Sequence, residues 1–320
     1  MIKNIWIPKV MEWDIEHFTS PIGIKLRKFV NPIFRRALKL GTRRKIIVEK
    51  YPKLEKKSTY IFSSSHSFDD DAISALSIID RSTYFLAGTS EQILYNPQMY
   101  AGWINGMVYV NRLDAKSRKD SVEKMVRVLE MGSSVLIFPE GGWNNTENLL
   151  IQPLFSGPFT LWQRTGRPVV PIASFHEHNA RNIYVRVGDP ITFDGMSKED
   201  ALCVLRDSMA TMMFEMIEAH STPLDRSRLN YVDYHLHYMK ERCREYQRVP
   251  WTKDVWDEEL SFYHDKEHPI PPKVWEFVDF VNINHNNAHI LAPILIRRQE
   301  DIKYNFKRYM HRNWDNKQFN

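Results

Sequence analysis

His66 and Asp71 lie five positions apart in the string His66-Ser67-Phe68-Asp69-Asp70-Asp71, and further on the chain reads Phe138-Pro139-Glu140-Gly141. An imidazole at a strand end and a carboxylate one helical turn later can face each other across the turn. The carboxylate then fixes the imidazole tautomer and stabilises the imidazolium, and the imidazole can take a proton from a hydroxyl at neutral pH. The second string is a tight turn holding a carboxylate and a glycine, directly after the apolar run Val135-Leu136-Ile137-Phe138. Acyl transfer to a hydroxyl needs a base, a group that holds the base, and donors for the developing oxyanion. Ser63, Ser64 and Ser65 precede the histidine, but a Gly-x-Ser-x-Gly nucleophile turn is missing around them, and the chain has no glycine-rich nucleotide loop. By itself the His/Asp spacing does not name a reaction, because such pairs recur by chance and a lone histidine is usually structural.

These residues need elements to hold them. Strands are expected at 59–65, 83–87, 107–110, 134–138, 169–173 and 183–187. Helices are expected at 70–80, 117–131, 156–165 and 197–219. The three aspartates sit at the start of the helix at 70–80, where negative charge is favourable, and Asp69 and Asp70 read as capping charges. Strands alternating with helices predict an α/β fold with a mixed, mainly parallel sheet flanked by helices. Ahead of it, residues 20–41 set Ile22, Leu26, Phe29, Val30, Ile33, Phe34, Ala37 and Leu38 at helical spacing among Lys25, Arg27, Lys28, Arg35, Arg36 and Lys39. Asn31-Pro32 predicts a break, giving an amphipathic helical hairpin. This segment either lies on anionic lipid or packs its apolar stripe on the domain. Residues 222–320 lack strand-like runs and read as a mostly helical extension with loops at 248–254 and 265–273. The expected organisation is a basic helical segment at 1–57, a catalytic domain at 58–220 and an extension at 221–320.

With these blocks in order, residues 58–195 resemble the glycerolipid acyltransferase family of lysophosphatidate-acyltransferase-like enzymes. His66…Asp71 resembles its first block. Gly102, Ile104 and Arg112 in GWINGMVYVNR resemble the second, Phe138-Pro139-Glu140-Gly141 the third, and Val170-Pro171-Ile172 the fourth. Leu154-Phe155-Ser156-Gly157 and Gly188-Asp189-Pro190-Ile191 resemble two accessory elements. The resemblance implies that His66 is the general base and Asp71 its partner. It also implies that Arg112, Phe138, Pro139, Glu140, Gly141 and Trp143 line the acceptor site and that Pro171 closes the pocket wall. It further implies direct acyl transfer from acyl-CoA or acyl carrier protein to a lysophospholipid or glycerol-phosphate-type acceptor, with no cofactor besides the co-substrate. Two departures stand out. The family commonly follows Glu-Gly with Thr or Ser and then Arg, whereas here Gly142, Trp143 and Asn144 follow; and Ser156 replaces a usual lysine. Arg112 keeps a planar fork suited to a phosphate. Trp143 brings an apolar face instead of a cation, so the expected acceptor is bulkier than simple lysophosphatidate.

The net charge of +5 is unevenly placed. Residues 1–60 hold 15 Lys and Arg against 5 Asp and Glu, a net of +10, which leaves −5 for the rest. A basic end on an acidic body points to an anionic partner, here a membrane surface rather than nucleic acid, since no nucleic-acid motif accompanies the charge. No apolar run reaches the ~18 residues of a bilayer span, and residues 1–19 mix charges with aromatics, unlike a signal peptide. The expectation is a cytoplasmic protein peripheral to the inner face of a membrane. Cys203 and Cys243 suggest no disulfide framework. The histidine pairs 176/178, 235/237 and 264/268 lack further ligands at metal spacing, so no metal is expected. The competing reading is a catalytically silent lipid-binding or scaffold protein that keeps the fold.

Overall fold

The computed structural model describes residues 19–42, 44–67, 70–88, 105–111, 114–142, 144, 150–177 and 180–221. Met1–Gly141 with Leu154–Ala219 form one compact unit, and Gly142–Pro153 with His220–Asn320 form another. The elements below lie in the first, apart from His220 at the end of the last helix. Helix α1 spans Pro21–Gly41, strand β1 Lys45–Lys50, β2 Ile61–Ser64, α2 Asp71–Ile78, β3 Thr83–Gly88 and β4 Met107–Val110. Then come α3 at Ala115–Glu130, β5 at Ser134–Ile137, α4 at Gly157–Thr165, β6 at Val169–Phe175, β7 at Asn182–Val187 and α5 at Lys198–His220.

The seven strands form one sheet in the order β1-β7-β6-β2-β5-β3-β4, parallel throughout except for β6 against β7. Every residue of β2, β4 and β5 is buried, as expected of parallel strands covered on both faces. Their sequences are accordingly short continuous apolar or small-residue runs rather than alternating ones. α1 packs with α2, and α3 packs with α4, β3, β4 and β5. The mixed, mainly parallel α/β sheet read from the sequence is the sheet observed.

β1 was not anticipated. Lys45–Lys50 adds a parallel edge strand on β7, so the sheet begins inside the stretch read as a helical segment. The run KIIVEK has only three apolar residues between charges, and an edge strand needs no more than that. Arg186 of β7 reaches Glu49 of β1 at 2.7 Å, tying the edge down.

α1 also departs from expectation, because it is one continuous helix and not a hairpin. Ser20 caps it, its hydroxyl accepting from the Gly23 N–H at 3.1 Å, with Pro21 in the first turn. Pro32 lies inside the helix with its ring on the exposed side, where water can satisfy the carbonyl it leaves unbonded. The helix is fixed on both sides of that proline. The Arg27 guanidinium donates to the Tyr84 hydroxyl at 2.6 Å and lies over its ring, and the Arg35 guanidinium donates to the Ser77 and Ile78 carbonyls at 3.2 and 3.1 Å. Burial pulls the Arg35 guanidinium down from its ordinary value, while Asp80 and Tyr51 push the other way. Ile24, Arg27, Asn31 and Arg35 thus face the body. Ile22, Leu26, Phe29, Ile33 and Leu40 lie on the opposite side, between 62% and 86% exposed. The apolar stripe is therefore not the packed face.

Candidate functional site

Parallel strands deliver their C-terminal ends to one edge of the sheet, and ligand sites of open α/β folds gather there. β2 and β5 are neighbours, with Ile61, Phe62 and Ser63 level with Val135, Leu136 and Ile137. His66 follows the end of β2 and Phe138-Pro139-Glu140-Gly141 follows the end of β5. The two strings, far apart in sequence, are adjacent in space because their strands pair.

At this edge His66 Nδ1 lies 2.8 Å from Asp71 Oδ2. Asp71 is the first residue of α2 and is 1% exposed, while the His66 ring is about a quarter exposed. The same Asp71 oxygen accepts from the Ser67 N–H at 2.8 Å. An ionised carboxylate only accepts, so Nδ1 carries the ring proton and Nε2 presents a lone pair. The Phe138 ring lies against the imidazole with centroids 4.6 Å apart. Base and orienting partner are in contact in this structure.

The family profile described as Acyltransferase matches residues 45–174, from β1 into β6. Over that stretch the chain is similar to the acyltransferase family. Over 74 residues it is 35% identical to the 1-acyl-sn-glycerol-3-phosphate acyltransferase BAT2, chloroplastic, of Brassica napus, covering 22% of this chain and 21% of that protein. Over 128 residues it is 29% identical to the 1-acyl-sn-glycerol-3-phosphate acyltransferase LPAT1, chloroplastic, of Arabidopsis thaliana, covering 39% of this chain and 33% of that one. The matches thus span between a fifth and a third of these relatives. The crystal structure of the 1-acyl-sn-glycerophosphate acyltransferase PlsC from Thermotoga maritima aligns with a TM-score of 0.49 at 16% identity, over 60% of this chain and 82% of that one.

The turn after β5 is built on Gly141, whose φ of +76° disfavours any side chain. A Cβ there would come within 2.4 Å of the Phe155 ring. The turn is closed by the Gly141 N–H on the Phe138 carbonyl at 3.0 Å and by the Phe155 N–H on the Pro139 carbonyl at 2.8 Å. Gly141→Ala is expected to lower stability by at least about 2 kcal/mol, from the positive φ and the overlap together. A thermal melt checks it, and an unchanged Tm would show that the turn gives way freely.

Glu140 is 1% exposed, and its Oε1 accepts from the His66 main-chain N–H at 2.8 Å. This is a long-range contact that no local pattern announces. Pro171 sits inside β6, level with Ser63, and a Cβ on Gly188 would come within 2.7 Å of its ring. That is a sheet-packing position. Lacking an N–H, Pro171 leaves one ladder bond to β7 unmade, and β7 ends there with the Gly188 N–H on the Pro171 carbonyl at 2.8 Å. Asp70, expected to cap α2, makes no side-chain cap bond and instead pairs with Arg44 at 3.2 Å. Arg112, Trp143, Asp69, Gly102 and Ile104 lie outside the described residues, as do 222–320 and the histidines at 178, 235, 237, 264 and 268. Among the described residues no three His, Cys, Asp or Glu side chains cluster as metal ligands. The His176 Nδ1–H donates to the Asn182 carbonyl at 3.1 Å. Among the described residues no helix is long and apolar enough to cross a membrane.

Proposed function

We propose that the protein transfers a fatty acyl group from a thioester, acyl-CoA or acyl carrier protein, to the hydroxyl of a lysophospholipid or glycerol-phosphate-type acceptor at an anionic membrane surface. The observation that carries this reading is the His66–Asp71 pair, formed at 2.8 Å within the stretch similar to the acyltransferase family. His66 Nε2 takes the acceptor hydroxyl proton, and the oxygen attacks the thioester carbonyl carbon. The C–S bond then breaks, the leaving thiolate takes the proton from the imidazolium, and ester and free thiol result with His66 neutral again. Asp71 keeps the proton on Nδ1 throughout. No covalent enzyme intermediate is required.

The names of the two plant relatives support a 1-acyl-glycerol-3-phosphate acceptor class, while Trp143 and Ser156 replace cations and favour a bulkier lysophospholipid or lipid-like alcohol. The test is transfer of a labelled acyl group from both donors to a panel of lysolipids. Product with any acceptor supports the reading. No product from either donor, with a folded protein that binds vesicles, would favour the silent lipid-binding alternative. Trp143→Arg is expected to shift preference toward lysophosphatidate by roughly tenfold, by adding a phosphate partner. Unchanged relative kcat/KM values across the panel would remove Trp143 from acceptor choice.

A further inference from the structure

Glu140 occupies a specific gap in the sheet. On β2 the amides of Ile61 and Ser65 point to β6, donating to the Pro168 and Ile172 carbonyls at 3.0 Å each. Successive amides of a strand alternate sides, so the His66 N–H faces β5. If β5 ran on, a main-chain carbonyl at the level of Pro139 would meet it. β5 has already turned, and the Pro139 carbonyl is taken by the Phe155 N–H. The Glu140 carboxylate supplies the acceptor instead, at 2.8 Å.

We propose that Glu140 is a positioning residue for His66, completing the β2–β5 ladder at the base, and not a ligand of the acceptor. This rests on the reading of His66 as the general base. Two consecutive amides are then held by two buried carboxylates from different elements: His66 N–H by Glu140 and Ser67 N–H by Asp71. Asp71 sets the ring tautomer. Glu140 sets the main chain from which the ring projects, and Phe138, two residues before Glu140, backs the ring face. Phe138 and Glu140 both belong to the turn after β5, so that one turn contacts the base at its ring and at its main chain. An error of about 1 Å in the base can cost on the order of a hundredfold in rate.

The experiment compares Glu140→Ala and Glu140→Gln, whose amide oxygen can still accept from the His66 N–H. Glu140→Ala is expected to lower kcat about a hundredfold with acceptor KM within about twofold. It should also speed hydrogen exchange at the His66 amide by at least about tenfold. Glu140→Gln should restore most of both. A raised acceptor KM with kcat retained, or unchanged protection of the His66 amide in Glu140→Ala, would overturn the proposal. Should Glu140→Ala not fold, Glu140→Asp, one methylene short of the amide, carries the same readouts. If the wild type transfers to no acceptor, the acyl-transfer reading fails by itself, and the exchange measurement still decides whether Glu140 holds the His66 main chain.

Discussion

Replacing Asp71 with Asn is expected to lower acyl transfer by about three orders of magnitude while leaving the domain folded. The substitution keeps the side chain's size in a site only 1% exposed. What changes is the hydrogen bond to the base. Because one oxygen serves both donors, an NH2 placed there gives up the Ser67 N–H and drives the ring proton to Nε2, which can then no longer accept from the acceptor hydroxyl, while an amide oxygen placed there keeps both bonds but lacks the charge that stabilises the imidazolium. His66→Ala removes the base outright and should cost as much or more. The double variant should lose little beyond His66→Ala, because an orienting group has nothing left to orient. Steady-state rates for the four proteins check this. Losses that multiply in the double variant would mean that the two side chains act separately, and an Asp71→Asn enzyme within tenfold of wild type would remove the tautomer argument.

The parts of this fold that could be read locally are those in which sequence and burial coincide. β2, β4, β5 and β6 are short runs buried on both faces, so composition alone locates them. His66 and Asp71 sit across one strand-to-helix turn, and their meeting follows from spacing. β1 escaped because an edge strand with three apolar residues has no such pattern. Pro32 misled because the cost of a proline inside a helix is offset here by anchors on both sides, Arg27 and Arg35. The contact of Glu140 with the His66 amide has no local signal, because it depends on strand order, with β5 beside β2 across more than seventy intervening positions. Periodicity locates the apolar stripe of α1 but cannot say which face packs. Two arginines reaching inward to a tyrosine ring and to the last carbonyls of α2 reverse the usual arrangement.

That reversal underlies the second large effect. Changing Leu26, Phe29 and Ile33 together to Ser is expected to weaken binding to anionic vesicles by about two to three orders of magnitude, since each large apolar side chain contributes about 1.5 kcal/mol or more when it leaves water. The same change should leave the melting temperature nearly unaltered, because these side chains are between 62% and 78% exposed. An ordinary packed helix would give the opposite pair of results, a large stability loss and no change in vesicle binding. The exposed cations Lys25, Arg36 and Lys39 predict a separate, salt-dependent share of about 1 kcal/mol each, absent on zwitterionic vesicles. Vesicle sedimentation at low and high salt, beside a DNA-binding assay at the same ionic strength, separates lipid from nucleic acid as the anionic partner. Vesicle binding unaffected by the triple substitution would take the membrane away from α1. A charge-only mode would fail the zwitterionic comparison differently, losing all binding in salt, whereas an inserted stripe keeps an apolar component that salt does not screen.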